Sequence, residues 1–360
     1  MSKIVPPLHP SVMCFSFCFP QQAISAQSCW ASLYGSLAPF KLRLITDQFK
    51  ARQPSTMNRY LLECRKFMRW CNDVKAQFVL PQEPVVVAAY LSQLHRKTGS
   101  PSTVSMAYAA LVWLHDVVDV TCSNNPLKTG VCRNVVEAAK RNGTQRKNRK
   151  LPLSIDMVKR IVAKHGKVDA NLKDLRISVI VLLGFAGFFR FNELAHIKAS
   201  HITFAHDHMS IVIPSSKTDV YREGNKAIIA RTDNATCPVN MVLRYMSAAR
   251  MDHNADGLLI RQLVFQKNYN TYVLGNKGIS YSRCREIFLE ALKALGYDSK
   301  LFGLHSLRSG GATAAVNSPS GPVSDRLLKL HGRWKSDYAK DLYIQEDISA
   351  RLSVSSSLGI

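Results

Sequence analysis

Acidic residues are scarce in this chain of 360 residues, which has 25 Asp and Glu against 48 Lys and Arg. The formal net charge is +23 at pH 7 with histidine neutral. Such an excess favours a polyanionic partner, nucleic acid first and an anionic membrane surface second. Charge alone does not separate an enzyme from a ribosomal or histone-like protein.

The chain also lacks an apolar run long enough to span a bilayer. The longest run, from about Ile177 to Phe189, is shorter than the roughly 20 residues that a spanning helix needs, and it ends at Arg190. We therefore expect a buried core helix there and no membrane partner.

The N-terminus has an incomplete targeting pattern. A short apolar run at 12–19 precedes a small-residue stretch at 23–26, as in a signal or transit peptide, but Pro20 interrupts the two. We favour a tail without assigned structure over a targeting peptide. An intracellular location follows, nuclear or cytoplasmic.

The nine cysteines include no Cys-x-x-Cys pair, and they are odd in number and scattered. A disulfide framework is therefore not expected, and a reducing compartment is favoured. His206-Asp207-His208 could suggest a metal site, but no further ligands stand at suitable spacing, so we interpret it as a solvated turn. We expect no metal and no cofactor.

Apolar spacing divides the chain into two domains and two tails. Residues 45–142 carry four or five amphipathic helices, whereas residues 1–44 show no clean periodicity. Residues 143–151 form a basic linker, and residues 152–346 a second domain. Residues 347–360 are a serine-rich tail.

The second domain is predicted to be mainly helical with a small antiparallel sheet. Strands are predicted at 209–213 and 227–230, on either side of a polar hairpin that contains Lys217. Ser324 and Ser336 stand where helix N-caps belong. The predicted helices are 155–163, 175–186, 238–250, 280–295, 305–316, 322–331 and 336–346.

A basic run lies between the domains, where six of the eleven residues from Lys140 to Lys150 are basic and none is apolar. Such runs are often only solvated. Because this run joins two domains of a strongly basic protein, we expect it to contact the DNA backbone. The candidate DNA-binding residues are Lys140, Arg141, Arg146, Lys147, Arg149 and Lys150.

A set of side chains suited to phosphodiester chemistry recurs along the second domain. Arginine forks match two phosphate oxygens, a lysine or histidine can move a proton, and an indole N–H can donate a hydrogen bond. A tyrosine can attack phosphorus once it loses its proton. The candidate catalytic residues are Arg190, Lys217, His305, Arg308, Trp334 and Tyr343, with Glu193 expected to orient the Arg190 segment.

Each of these residues also has a structural interpretation. Arg190 could end a helix at the surface, and Tyr343 could be a packing tyrosine. Lys226 competes with Lys217 if the hairpin register differs, and His331 competes with Trp334 as donor.

The order and spacing of these residues resemble the tyrosine recombinases, the phage-integrase and Cre-like group, especially those of eukaryotic mobile elements. The resemblance covers about residues 50–346. It rests on Gly187–Leu194, on Ser-Lys-Thr-Asp around Lys217, on the His-x-x-Arg of His305 and Arg308, and on the nine-residue step from Trp334 to Tyr343.

The resemblance implies a helical core-binding (SAM-like) domain followed by an α+β catalytic domain. It further implies that Tyr343 attacks a phosphate of double-stranded DNA to give a 3′-phosphotyrosine, without ATP, and that four protomers assemble on paired DNA sites. Two alternatives remain: a domesticated DNA-binding protein that no longer cuts, and a type IB topoisomerase.

Overall fold

The computed structural model describes residues 38–118, 125–143, 149–213, 225–318, 321, 323–345 and 348–358. The chain divides into two compact units, residues 1–148 and 149–360. The division falls inside the segment that we assigned as the basic linker.

The described residues of the first unit form helices and connecting loops, without a strand. Prolines open three of its helices, where the missing amide proton costs no hydrogen bond. Its elements are α1 (Ala38–Lys50), α2 (Pro54–Asp73), α3 (Pro84–Thr98), α4 (Pro101–Val118), a single 3-10 turn (Pro126–Lys128) and α5 (Gly130–Arg141).

An apolar stripe on α2 faces the core of this unit. Leu61, Cys64, Phe67 and Cys71 are buried there, as their spacing of three and four predicts. Helix α1 begins inside the segment that we left as a tail, so the boundary at residue 44 was wrong. Phe49 is the only buried residue among the described side chains of α1, so the sequence of this helix has no apolar periodicity that would predict it.

The second unit combines helices with two small antiparallel sheets, as the fold class predicted. Its helices are α6 (Ile155–His165), α7 (Leu172–Ala186), α8 (Phe191–Ala195), α9 (Pro238–Ala248), α10 (Tyr281–Lys293), α11 (His305–Val316), α12 (Asp325–Gly332), α13 (Asp337–Asp341) and α14 (Ile348–Ser356). Its strands are β1 (Ile202–Phe204), β2 (His208–Ile213), β3 (Asn225–Ala230), β4 (Arg261–Gln266) and β5 (Thr271–Gly278).

Helix α7 is the centre of the second core. It is buried from Leu175 to Gly184 and packs against α6, α9 and α11. The sheet β1-β2-β3 is antiparallel, and the pairs Met209↔Ile229 and Ile211↔Ala227 turn their apolar side chains inward. No helix in the described parts of the chain is long and apolar enough to cross a membrane.

The prediction for this unit needs correction. The pair β4–β5 was missed, because its side chains are only partly buried and show no apolar alternation. The helix predicted at 336–346 ends at Asp341. Helix α14 lies within the segment that we called a serine-rich tail.

Candidate active site

Arg190 is placed by the tight connection between α7 and α8. The chain turns at Phe188, whose φ of 49° is in the left-handed region, and Arg190 becomes the N-cap residue of α8. The Arg190 backbone N–H donates to Glu193 Oε2 at 3.0 Å, and Arg190 Nη1 donates to Glu193 Oε1 at 2.7 Å. The carboxylate therefore holds both the backbone and the guanidinium of Arg190.

Helix α11 carries His305 on its first residue and Arg308 one turn later. Two glycines let this helix approach its neighbours closely. A Cβ at Gly311 would lie 2.0 Å from the carbonyl oxygen of Phe185, and one at Gly310 would lie 2.3 Å from that of Leu153. The close packing brings Arg308 to the end of α7, while His305 remains exposed.

The Arg308 side chain is fully buried between two aromatic rings. Its guanidinium carbon lies 4.6 Å from the centre of the Trp334 ring and 5.0 Å from that of Tyr343. Its terminal nitrogens donate to the carbonyl oxygens of Phe188 and Gly332. Burial, and then the positive charge of Arg190, lower the pKa of Arg308 to about 9, so it keeps its charge at neutral pH.

The charged side chains around Glu193 form a cluster that includes Arg333, a residue that the sequence prediction missed. Its Nη2 donates to Glu193 Oε2 at 3.0 Å, and Glu193 Oε2 also lies 3.9 Å from Arg308 Nη1. Burial alone would raise the pKa of Glu193, but Arg333 and then Arg190 and Arg308 outweigh burial and lower it. The available signal was the position of Arg333 between Gly332 and the candidate Trp334.

Tyr343 lies in a turn that follows α13 and is partly buried. Its ring centre is 5.6 Å from that of Trp334 and 6.3 Å from that of His305. Thr313 of α11 donates from its hydroxyl to the Tyr343 carbonyl oxygen at 3.4 Å. The stretches around residues 190, 305, 333 and 343 thus meet at one place.

The two candidate donors near residue 333 differ in their surroundings. The His331 ring packs edge-on against Phe188, and its Nε2 lies 2.7 Å from the carbonyl oxygen of Ala186. Burial lowers the pKa of His331. The buried Trp334 Nε1 has no acceptor among the described residues, and its ring neighbours Tyr343. The enclosed indole N–H of Trp334 is therefore an unused donor, whereas one ring nitrogen of His331 is engaged.

Three of the predicted residues lie outside the part of the chain that the structure describes. Lys217 belongs to residues 214–224, and Arg146 and Lys147 belong to residues 144–148, which the structure does not describe. The competitor Lys226 is exposed on β3, opposite Val212.

The described part of the basic run is exposed. Lys140 pairs with Glu137 at 2.6 Å near the end of α5, where Arg141 is the last residue. Arg149 and Lys150 are exposed, and Lys150 Nζ donates to the Lys300 carbonyl oxygen.

His206-Asp207-His208 forms the turn into β2, where His208 Nδ1 lies 2.6 Å from Asp207 Oδ1. Within the described ranges, no three His, Cys, Asp or Glu side chains are grouped as a metal site would require.

Known proteins resemble this chain in sequence and in fold. The integrase/recombinase xerD homolog of Selenomonas ruminantium is 26% identical over 298 residues, 82% of this chain and 83% of that protein. The XerH site-specific recombinase, in a post-cleavage complex with palindromic difH substrate, superimposes with a TM-score of 0.59 at 16% identity over 98% of both chains. The chain shares the fold of these recombinases, and its sequence is similar to that of the xerD homolog over most of its length.

A lambda integrase tetramer bound to a Holliday junction also shares the fold, with a TM-score of 0.52, 15% identity and coverage of 85% of this chain and 77% of that one. A scan of protein-family models found no match. The cluster around Glu193 lies in the second unit, in the segments on which the sequence resemblance rests.

Proposed function

We propose that the chain is a site-specific DNA recombinase that cuts and rejoins DNA through a 3′-phosphotyrosine at Tyr343. One observation carries this assignment. Three guanidiniums, those of Arg190, Arg308 and Arg333, surround the single carboxylate of Glu193 beside Tyr343, a net charge of +2 for these four groups. Buried charge is costly unless it is paired, so the cluster favours an anionic ligand such as a phosphodiester.

Two arginines have the proposed role of stabilising the charge that grows on the phosphate. Arg190 is the more accessible, with 14% of its side chain exposed, whereas that of Arg308 is fully enclosed. Because Tyr343 covers Arg308, phosphate binding requires the phenol ring to move off the guanidinium. Removing one such preorganised donor typically costs about a hundredfold or more in rate.

Four side chains take part in the proposed reaction. The Tyr343 hydroxyl passes its proton to the His305 ring as its oxygen attacks phosphorus, the bond from phosphorus to the 5′-oxygen breaks, and Lys217 gives that oxygen a proton. His305 and the Trp334 indole N–H donate to the phosphate oxygens. A 5′-hydroxyl of a partner duplex then attacks the phosphotyrosine and gives its proton to Lys217, and the released Tyr343 oxygen takes back a proton from His305.

The proposed partner is double-stranded DNA, bound in part by the basic run. Four protomers are proposed to assemble on paired sites, as lambda integrase does on a Holliday junction. The sequence resemblance favours a protein of a eukaryotic mobile element acting in the nucleus.

Covalent capture of DNA tests the proposal. The full chain is incubated with a pool of nicked duplexes with randomised cores, and detergent-resistant protein–DNA adducts are recovered and digested. We expect an adduct on the Tyr343 peptide that is absent from Tyr343→Phe. Tyr338→Phe is the matched control, since Tyr338 lies in the same segment and is 75% exposed.

The other outcomes contradict the proposal in different ways. Adducts that persist in Tyr343→Phe contradict the assigned nucleophile. No adduct despite tight DNA binding supports the domesticated binding protein. Relaxation of supercoiled DNA without exchange of strands supports the type IB topoisomerase.

A further inference from the structure

Arg333 is held in an uncommon way for an arginine. It follows α12 with a φ of 55°, a conformation that L-residues other than glycine, asparagine and aspartate seldom adopt. Only 2% of its side chain is exposed. Backbone strain and a buried charge both cost free energy, so the surrounding structure must hold this residue in place.

The Arg333 guanidinium joins the end of α12 to the connection between α7 and α8. Nη2 donates to the carbonyl oxygens of Gly187 and Phe188 at 3.1 Å and 3.0 Å, besides its bond to Glu193. Nη1 donates to the carbonyl oxygen of His331 at 2.8 Å. The planar fork therefore fixes the segment that leads directly into Arg190.

Both candidate phosphate-binding arginines share a hydrogen-bond partner with Arg333. The Phe188 carbonyl oxygen accepts from Arg308 as well as from Arg333. Glu193 pairs with Arg190 through one oxygen and with Arg333 through the other. Loss of Arg333 would leave each of these two acceptors with fewer fixed donors.

We propose that Arg333 is a positioning residue for DNA cleavage, which fixes Arg190 through Glu193 and Arg308 through the Phe188 carbonyl. This inference rests on the proposed recombinase function. Arg333 itself is enclosed and has its terminal nitrogens engaged, so it acts through its neighbours and not on the phosphate. A displacement of about 1 Å in such groups can cost about a hundredfold in rate.

The test uses Arg333→Gly, because glycine adopts the left-handed conformation readily and the backbone should be preserved. The rate of adduct formation is measured at saturating nicked duplex, and the Kd for the same duplex is measured separately. We expect the saturated rate to fall about a hundredfold with little change in Kd. Arg333→Lys should recover only part of the rate, because an ammonium lacks the planar fork.

Chemical rescue separates positioning from a merely structural role. Added methylguanidinium should raise the rate of Arg333→Gly, whereas methylammonium should not. Arg326→Met, which removes an exposed guanidinium from α12, is the matched control and should respond to neither cation. A slow Arg333→Gly protein that methylguanidinium does not rescue would overturn the proposal.

A double mutant adds an independent measurement. If Arg333 acts through Glu193, the loss in Glu193→Gln/Arg333→Gly should be smaller than the product of the two single losses. Independent, multiplicative losses contradict the proposal. A wild-type protein that forms no Tyr343 adduct would refute the recombinase function itself, whereas a wild-type adduct with an unimpaired Arg333→Gly would refute only the positioning role.

Discussion

Glu193 is the residue on which the arginine cluster converges. Its side chain is 2% exposed and lies within 4 Å of three guanidiniums. Removing one partner of a buried ion pair costs about 3–5 kcal/mol, because the remaining charge stays buried and unpaired. We expect Glu193→Gln to lower the free energy of unfolding by an amount in that range at neutral pH.

The same carboxylate predicts a pH dependence. Its folded-state pKa is lowered, so its contribution to stability is present above the unfolded pKa of about 4.3 and is lost as pH falls through the lower folded value. The difference in free energy of unfolding between wild type and Glu193→Gln should therefore be constant above about pH 5 and shrink below about pH 4. Denaturant titrations across this range measure it, and a difference that grows on acidification would contradict the assignment.

At this scale, spacing in the sequence was informative where residues lie on a helix. His305 and Arg308 were found because residues three apart share a face, and both lie on α11. Arg333 could not be found in that way. It lies after a helix in a left-handed conformation, and its partner Glu193 is 140 residues away. Neither condition leaves a periodic pattern.

The segment from Ser336 to Gln345 is the element that carries the tyrosine. Lys340 lies inside it with only 6% of its side chain exposed, and it pairs with Asp325 of α12 and with Asp341 at 3.4 Å. Lys329 of α12 adds a pair to Asp337 at 3.1 Å. These contacts hold the tyrosine segment against α12.

Loss of the Lys340 ion pairs should weaken the attachment of the tyrosine segment to α12 and leave the arginine cluster intact. We expect Lys340→Met to lower the free energy of unfolding by about 1 kcal/mol, a modest amount because Asp325 is 67% exposed. Adduct formation should slow at saturating DNA. Asp325→Asn combined with Lys340→Met should be less than additive in unfolding free energy. Lys335→Met, which removes an exposed lysine from the same segment, is the control and should leave stability unchanged.

Elements were predictable where local pattern and tertiary packing agree. Helix α11 was predicted with its observed bounds, and the serine hydroxyls of Ser324 and Ser336 accept the expected N-cap hydrogen bonds. The prediction of a helix through Tyr343 was wrong because a tertiary contact ends the helix earlier. The Gln345 N–H donates to the Thr313 hydroxyl at 3.1 Å, a contact with α11 that replaces a further helical turn.

At the scale of the whole molecule, the charge of +23 predicts strongly salt-dependent DNA binding. Each phosphate that the protein neutralises releases counterions and adds about −0.9 to the slope of log K against log salt. The basic run should supply part of that slope. Replacing Lys140, Arg141, Arg149 and Lys150 with alanine should reduce the slope by about one for each residue that contacts a phosphate.

Fluorescence anisotropy of a random-sequence duplex, titrated with protein across a salt series, measures the slope of log K against log salt. The matched control replaces four exposed lysines on helices or loops of the second unit: Lys159, Lys167, Lys173 and Lys293. The control should change the slope less than the variant of the basic run. Equal reductions in both proteins would show that net charge alone, and not the position of the run, determines binding.

The stacking of Tyr343 on Arg308 has a consequence for selectivity. In the free protein the proposed nucleophile lies on one of the guanidiniums proposed to bind the phosphate, so each side chain covers the other. A stray nucleotide or a short oligonucleotide would have to separate the two with little binding energy to offset the lost contact. A long duplex brings many backbone contacts at once, and only such a ligand should expose the reactive pair.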